Sequence, residues 1–232
     1  EIVSLDSGST DATLLIAESF SARITHISKD EFTFGRSLNM GSDFADGDVL
    51  VYVSGHCIPS TNQWLCNLVK PILDGIAQYT YGRQIGRDTT KFSERKIFNK
   101  YFPPMSKIPQ SDFFCNNANS AIARDTWSKF QFNEQVTGLE DMELSKRLCE
   151  QGGKVAYVAE ACVFHIHNEQ WGQTRRRYER ESIALQVIMP EVHINLMDMF
   201  RYIWVSVVSD SKAALRERCF KKEFIGIVKF RL

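Results

Sequence analysis

No charge of one sign dominates this chain: 28 Lys and Arg stand against 28 Asp and Glu in 232 residues. That balance argues against a nucleic-acid binder working through a strong basic field. No apolar run reaches the roughly 18 residues of a membrane-spanning helix. The nearest, Met199 to Val208, is interrupted by Arg201. Cysteine pairing motifs are missing too. Cys57, Cys66, Cys115, Cys149, Cys162 and Cys219 include no C-x-x-C pair, so neither a disulfide framework nor a zinc framework is predicted. The thiols read as reduced and the location as cytoplasmic. There is no signal-peptide pattern, internal repeat or low-complexity segment.

What remains is ordinary globular usage, 44% hydrophobic and 24% charged. Disordered, collagen-like and coiled-coil classes are excluded. The length fits one large domain or two small ones with a sizeable core. The neutral total hides an asymmetry. Lys212 to Leu232 holds seven basic residues against Glu217 and Glu223, leaving the first 211 residues at −5. A basic tail on a mildly acidic body suggests an anionic partner, with a membrane surface as one candidate.

Strand and helix signals alternate through the first half. Ile2 to Leu5 reads as a strand ending at Asp6, followed by a polar turn and a helix carrying Leu14 to Glu18. Further strands are predicted at Ala22–Ile27, Val49–Val53 and Ile76–Tyr81. Helices are predicted at Arg36–Ala45 and Asn62–Leu73. This order predicts an α/β fold with a mostly parallel central sheet. Ligands in such sheets bind at the carboxyl ends of strands. Three polar clusters fall there: Asp6-Ser7-Gly8-Ser9, Ser54-Gly55-His56 and Tyr81-Gly82-Arg83-Gln84. Residues 88–110 read as a loop with a short helix, and Phe113–Ala123 as a strand. Leu139–Gln151 reads as a helix closed by Gly152-Gly153. Val155–Val158 and Cys162–His167 read as two strands. Helices follow from Gln170, broken at Pro190.

Several groups could do chemistry. Glu140 and Asp141 open a helix, where the dipole favours carboxylates and keeps them ionised. They are equally well explained as plain N-terminal helix charge. His165 and His167, two apart on a strand, share a face and could bind a metal or phosphate. They could as well be solvated or core histidines. His56 ends the most hydrophobic strand, as a site residue or a loop histidine. Asp6 could accept from a base or ribose, or close an Asx-turn. Arg175, Arg176, Arg177 and Arg180 point to different faces of a helix, as a solvated surface or as an anion grip.

Taken in order, these segments resemble the family 2 glycosyltransferases of GT-A fold. Glu1 to Asp11 (EIVSLDSGSTD) is similar to that family's E-I-I-V-V-D-D-G-S-T-D segment. Arg36 to Gly41 resembles its A-R-N-x-G helix, and Gly47 to Val53 its G-D-x-L-x-F-L strand. Glu140-Asp141 looks like its E-D pair, and His165 and His167 sit where many members keep a histidine. The resemblance runs from Glu1 to about Leu185. It implies an inverting transfer of a hexosyl-type sugar from a nucleotide-diphosphate donor to a saccharide or lipid-linked acceptor, in bacterial capsule or lipopolysaccharide synthesis. Asp141 would be the general base and Glu140 its orienting or acceptor-touching neighbour. Asp6, Ser7, Ser54, Gly55 and His56 would contact the nucleotide. Arg83 would meet the diphosphate, and Asn117 and Asn119 the sugar hydroxyls.

Two departures from that pattern matter. The family's Asp-x-Asp, which holds Mg²⁺ or Mn²⁺, is replaced by Ser54-Gly55-His56. A site built from His56 with His165 or His167 would take Mn²⁺ better than Mg²⁺. Alternatively, protein cations and helix N-termini neutralise the diphosphate without metal, and the balance leans towards weak or absent metal dependence. The resemblance also implies a strand-helix unit before Glu1, expected to belong to a longer protein. Residues 1–169 are expected to form the catalytic domain, and 170–232 a helical extension that either lies on the inner face of the cell membrane or packs on the catalytic domain or a second subunit. The lost Asp-x-Asp also suits a different class, a non-catalytic nucleotide-sugar-binding or scaffold subunit. A nucleotidyltransferase shares the architecture as well.

Overall fold

The computed structural model describes all 232 residues. Strand β1 (Val3–Asp6) pairs in parallel with β2 (Arg23–His26) across helix α1 (Thr13–Ser19). These two strands form a sheet of their own. Helix α2 (Phe34–Phe44) follows, capped by the Thr33 hydroxyl, which accepts from Arg36 N.

The central sheet has five strands. They are β3 (Val49–Val53), β4 (Cys57–Pro59), β5 (Tyr79–Ile85), β6 (Asn119–Ala123) and β7 (Val155–His165), in the order β3-β6-β5-β7-β4. The α/β expectation holds, but the sheet is mixed rather than mostly parallel. Only β5 and β7 pair in parallel within it, and the other three pairings are antiparallel. The reason lies in the connection after β5. Helix α4 (Phe92–Tyr101) and residues 102–118 return the chain to the end where β5 finished, so β6 runs back between β3 and β5. The alternating order of strands and helices implied parallel strands, and that order does not reveal where a connection turns the chain back.

Two further boundaries move. Val155 to His165 is one strand, because small Ala159 and Ala161 stay buried while Glu160 points outward. β5 extends through Gly82 to Ile85, where the sequence places a strand end. Its register with β7 shifts between Gly82 and Gln84. A Cβ on Gly82 would collide with the Ala161 carbonyl and the Asn119 amide. The glycine therefore serves the close approach of two strands, not a turn.

Helix α3 (Trp64–Leu73) covers one face of the sheet, packing Leu68 on Ala121, Val158 and Ala161. The larger core on the other face includes Tyr79, Ile122, Val155 and Tyr157. It is covered by α4, α5 (Arg124–Phe130) and α6 (Glu140–Glu150), whose Leu144 and Leu148 are buried. Buried Asn39 ties α2 to this layer: it donates to Phe132 O and accepts from Phe132 N at 2.9 Å each.

The C-terminal region is helical, as expected: α7 (Trp171–Ile188), α8 (Leu196–Arg216) and α9 (Phe220–Arg231). Phe92, Ala214 and Ile227 form a small core that docks α8 and α9 on α4. A buried ion pair, Arg231 to Asp210 at 2.8 Å, closes the α8–α9 hairpin. No helix is long and apolar enough to cross a membrane.

Gly82→Ala should lower stability by about 1–3 kcal/mol or more through overpacking. A urea midpoint equal to that of the parent chain would show that β5 and β7 tolerate a side chain there.

Candidate active site

One cleft of about 2000 Å³ collects most of the polar groups singled out in the sequence. The β3–β4 turn, the start of α6, the end of β7, and α7 and α8 all contribute to its walls.

The carboxylate pair sits where the chain enters α6. Leu139 takes a left-handed conformation (φ 56°) and turns the chain into the helix. Glu140 and Asp141 are only 7% and 5% exposed. Asp141 accepts from Asn117 N and Met142 N, each at 2.7 Å. The sequence expectation was that the helix terminus keeps both carboxylates ionised. Burial outweighs it. Desolvation first, and the neighbouring Glu140 charge second, push Asp141 from its ordinary 3.8 up to about 8. Burial raises Glu140 as well.

The histidines converge. The β4–β7 ladder sets Cys57 opposite His165, and Ile166 N donates to His56 O at 3.0 Å. This lays exposed His56 beside buried His165 and His167. The Nε2 atoms of His56 and His165 lie 2.8 Å apart, and those of His165 and His167 2.9 Å. His165 Nδ1 meets Gln84 Oε1 at 2.6 Å, and His167 Nδ1 meets Glu94 Oε1 at 2.7 Å. Burial lowers His56 and holds His165 down to about 2, with the other histidines adding to the effect. Imidazoles grouped in this way are metal donors.

Not every predicted residue arrives. Asp6 and Ser7 lie outside the cleft. The Asp6 carboxylate accepts from Gly8 N (2.9 Å) and Ser9 N (3.0 Å). Its Asx-turn bonds, led by Ser9, hold its pKa down to about 2. Arg83 also misses the cleft: alternation along β5 turns Gln84 to the histidines and Arg83 away. Asn119 is fully buried and consumed by structure, accepting from Trp64 Nε1 (2.8 Å) and donating to Ala161 O (2.7 Å). Asn117, Ser54 and Gly55 do line the cleft.

The four arginines of α7 divide. Arg175 and Arg176 are exposed. Arg177 bridges Glu94 and Glu169. Arg180 lies over the Phe34 ring at 4.6 Å and lines the cleft. Sequence reasoning placed Gln84 in a strand-end polar cluster but gave it no role of its own, and it missed Glu94, on the short helix of a segment read mainly as loop.

With this geometry in view, the comparisons decide the family. The family model described as Glycosyl transferase family 2 matches residues 1–129, more than half of the chain. The chain belongs to that family. Two curated relatives are similar to it: the O-antigen chain rhamnosyltransferases RfbN of Salmonella typhimurium (26% identical) and WbaN of Salmonella anatum (27%). Each match covers 77% of this chain and 60% of the relative, so the chain spans about three-fifths of their length. Among solved structures, mannosyltransferase PcManGT from Pyrobaculum calidifontis, in complex with GDP-Man and Mn²⁺, superposes with a TM-score of 0.67 at 13% identity. That match covers 100% of this chain and 74% of that one. GalNAc-T7 with UDP, GalNAc and Mn²⁺ gives 0.57 at 20% identity, over 74% and 39%. At these identities the likeness carries the fold, which is GT-A.

The raised Asp141 pKa has a sign that can be checked. The folded chain keeps a proton that the unfolded chain releases near pH 4. The stability tied to this group is therefore full below that pH and falls as pH rises towards about 8. Asp141→Asn should flatten part of the loss of stability between pH 5 and 8. Equal slopes for variant and parent in chemical denaturation would contradict a buried, protonated Asp141.

Proposed function

We propose that this family 2 chain carries the catalytic centre of an inverting hexosyltransferase. Its donor is a nucleotide-diphosphate sugar, and its acceptor a saccharide or lipid-linked hydroxyl of bacterial O-antigen or related surface polysaccharide. Rhamnose is the best-supported sugar, on the strength of the two curated relatives. Residues 1–169 form the catalytic unit in this reading, and 170–232 its helical extension. The observation that carries the proposal is buried Asp141, set at a helix start in the same cleft as three converging histidines.

In the reaction, the acceptor oxygen attacks the anomeric carbon from the face opposite the diphosphate. The carbon–oxygen bond to the diphosphate breaks, and the nucleoside diphosphate leaves with that electron pair. Asp141 takes the acceptor proton. A single displacement inverts the anomeric centre. A base titrating near 8 is matched to this task, since it is strong enough to take the proton and still ionisable near neutral pH. Glu140 raises that basicity through its charge. Arg180, in place of Arg83, is the guanidinium available in the cleft to an anionic substrate group.

His56, His165 and His167 fit a divalent ion. Their donors are three imidazole nitrogens without a carboxylate, which suits Mn²⁺ better than Mg²⁺. Such an ion would supply positive charge to the departing diphosphate. This reading replaces the balance towards weak metal dependence, because the convergence of all three rings is a tertiary fact.

Asp141→Asn should reduce kcat by about 100- to 10,000-fold while leaving calorimetric affinity for the nucleoside diphosphate near that of the parent chain. Undiminished transfer would remove the base assignment. Nucleotide binding with no transfer by either protein, under any donor and metal tested, would favour the scaffold alternative suggested by the absent Asp-x-Asp.

The extension supports a cytoplasmic enzyme that is peripheral at the inner membrane face. Met197, Phe200 and Trp204 are exposed along α8, near Arg201, and Lys221 and Lys222 are exposed on α9. Each aromatic contributes about 1.5–3 kcal/mol on full burial. Replacing Phe200 and Trp204 together by Glu should therefore cut co-sedimentation with anionic phospholipid vesicles by about tenfold or more. Equal sedimentation of variant and parent would remove the membrane contact.

A further inference from the structure

The histidine cluster is built from outside itself, and the decisive atoms can be followed one at a time. Asn116 Oδ1 accepts the Ala118 backbone N–H at 3.1 Å, so this atom is the amide oxygen. The same oxygen accepts from Gln84 Nε2 at 2.7 Å. Gln84 must then present its own oxygen to His165 Nδ1, 2.6 Å away. A carbonyl oxygen only accepts, so the His165 proton sits on Nδ1 and its lone pair on Nε2.

The second chain ends at Glu94, which is 1% exposed. Its Oε1 accepts from Arg177 Nη2, a group that does not lose its proton, and faces His167 Nδ1 at 2.7 Å. His167 therefore donates from Nδ1, and its Nε2 is the ring atom left to face the His165 lone pair. The two Nε2 atoms lie 2.9 Å apart, with His56 Nε2 2.8 Å from that of His165. Three ring nitrogens thus converge on one point, the arrangement in which one divalent ion takes them together as donors.

We propose that Gln84 and Glu94 are positioning residues. They hold His165 and His167 in the Nδ1-protonated tautomer, so that both Nε2 atoms are aimed as donors at one divalent transition ion. Neither touches the ion or the sugar. The inference rests on the metal reading of the proposed function and deepens it. Gln84 offers a neutral acceptor and Glu94 an anionic one already paired with Arg177. The donor set therefore adds no charge of its own to an ion that must hold a diphosphate.

The test has two separable parts. Nitrogen-15 NMR of the metal-free full chain, labelled at histidine, reads the tautomers directly. His165 and His167 should both show Nδ1 protonated, and Gln84→Leu should release His165 to a mixture. An Nε2-protonated neutral form of either ring in the parent would overturn the proposal. Titration with Co²⁺, followed by calorimetry and visible absorption, reads the ion site. Gln84→Leu and Glu94→Leu should weaken Co²⁺ by about 10- to 100-fold. Gln84→Glu and Glu94→Gln, which keep an acceptor oxygen, should retain most of the affinity. These exchanges also carry the comparison if a leucine variant fails to fold by circular dichroism. Leucine variants that bind as the parent does, or exchanges that lose all affinity while folded, would overturn the positioning role. A parent chain with the stated tautomers but no Co²⁺ or Mn²⁺ binding would sink the metal reading and leave the tautomer assignment standing.

Discussion

β5 and β7 lie side by side in parallel through the centre of the sheet, and the site depends on that pairing. Gly82 allows it, because no side chain fits between the strands at that point. The pairing buries Tyr79 and Tyr157 in one core and brings Gln84 against His165. The register shift after Gly82 decides which residues of β5 face the cleft, because side chains alternate along a strand. One strand thus supplies both the packing of the core and the support of the histidines.

The electrostatic character of the cleft follows from what this packing encloses. Near the start of α6, two carboxylates are desolvated together, and the Glu140 charge further disfavours ionisation of Asp141. At the end of β7, burial acts on the His165 imidazole and keeps it neutral. Between α4 and α7, buried Glu94 and half-buried Glu169 and Arg177 form an ionic group that anchors His167. Such a group is costly to desolvate, and its value lies in orientation more than in stability. α4 links this group to the C-terminal hairpin, since Phe92 at its start packs on Ala214 and Ile227. The helical extension is therefore continuous with the support of the site.

Much of the architecture was legible in the residues. β3, α3 and α6 match their expected spans closely, because apolar periodicity and the glycine stop after α6 are local signals. The ordered motifs from Glu1 onward pointed to the family that the comparisons decide. His165 and His167 share a site because spacing by two on a strand is a local rule. Arg83 and Asn119 failed for a reason equally physical. A polar residue near a strand end can serve the fold or the cleft, and only the neighbouring strands decide which.

The sequence alone determined the classes of element and the candidate carboxylates and histidines, since each rests on spacing within one segment, and its ordered motifs carried the resemblance to the family. Tertiary structure decided the strand directions, the protonation of Asp141 and the convergence of His56 with the pair more than a hundred residues later. It also brought in Gln84 and Glu94, whose meaning comes from the rings they face. Burial and hydrogen-bond partners are properties of the packed chain. A pKa or a tautomer therefore has no value until distant segments have met.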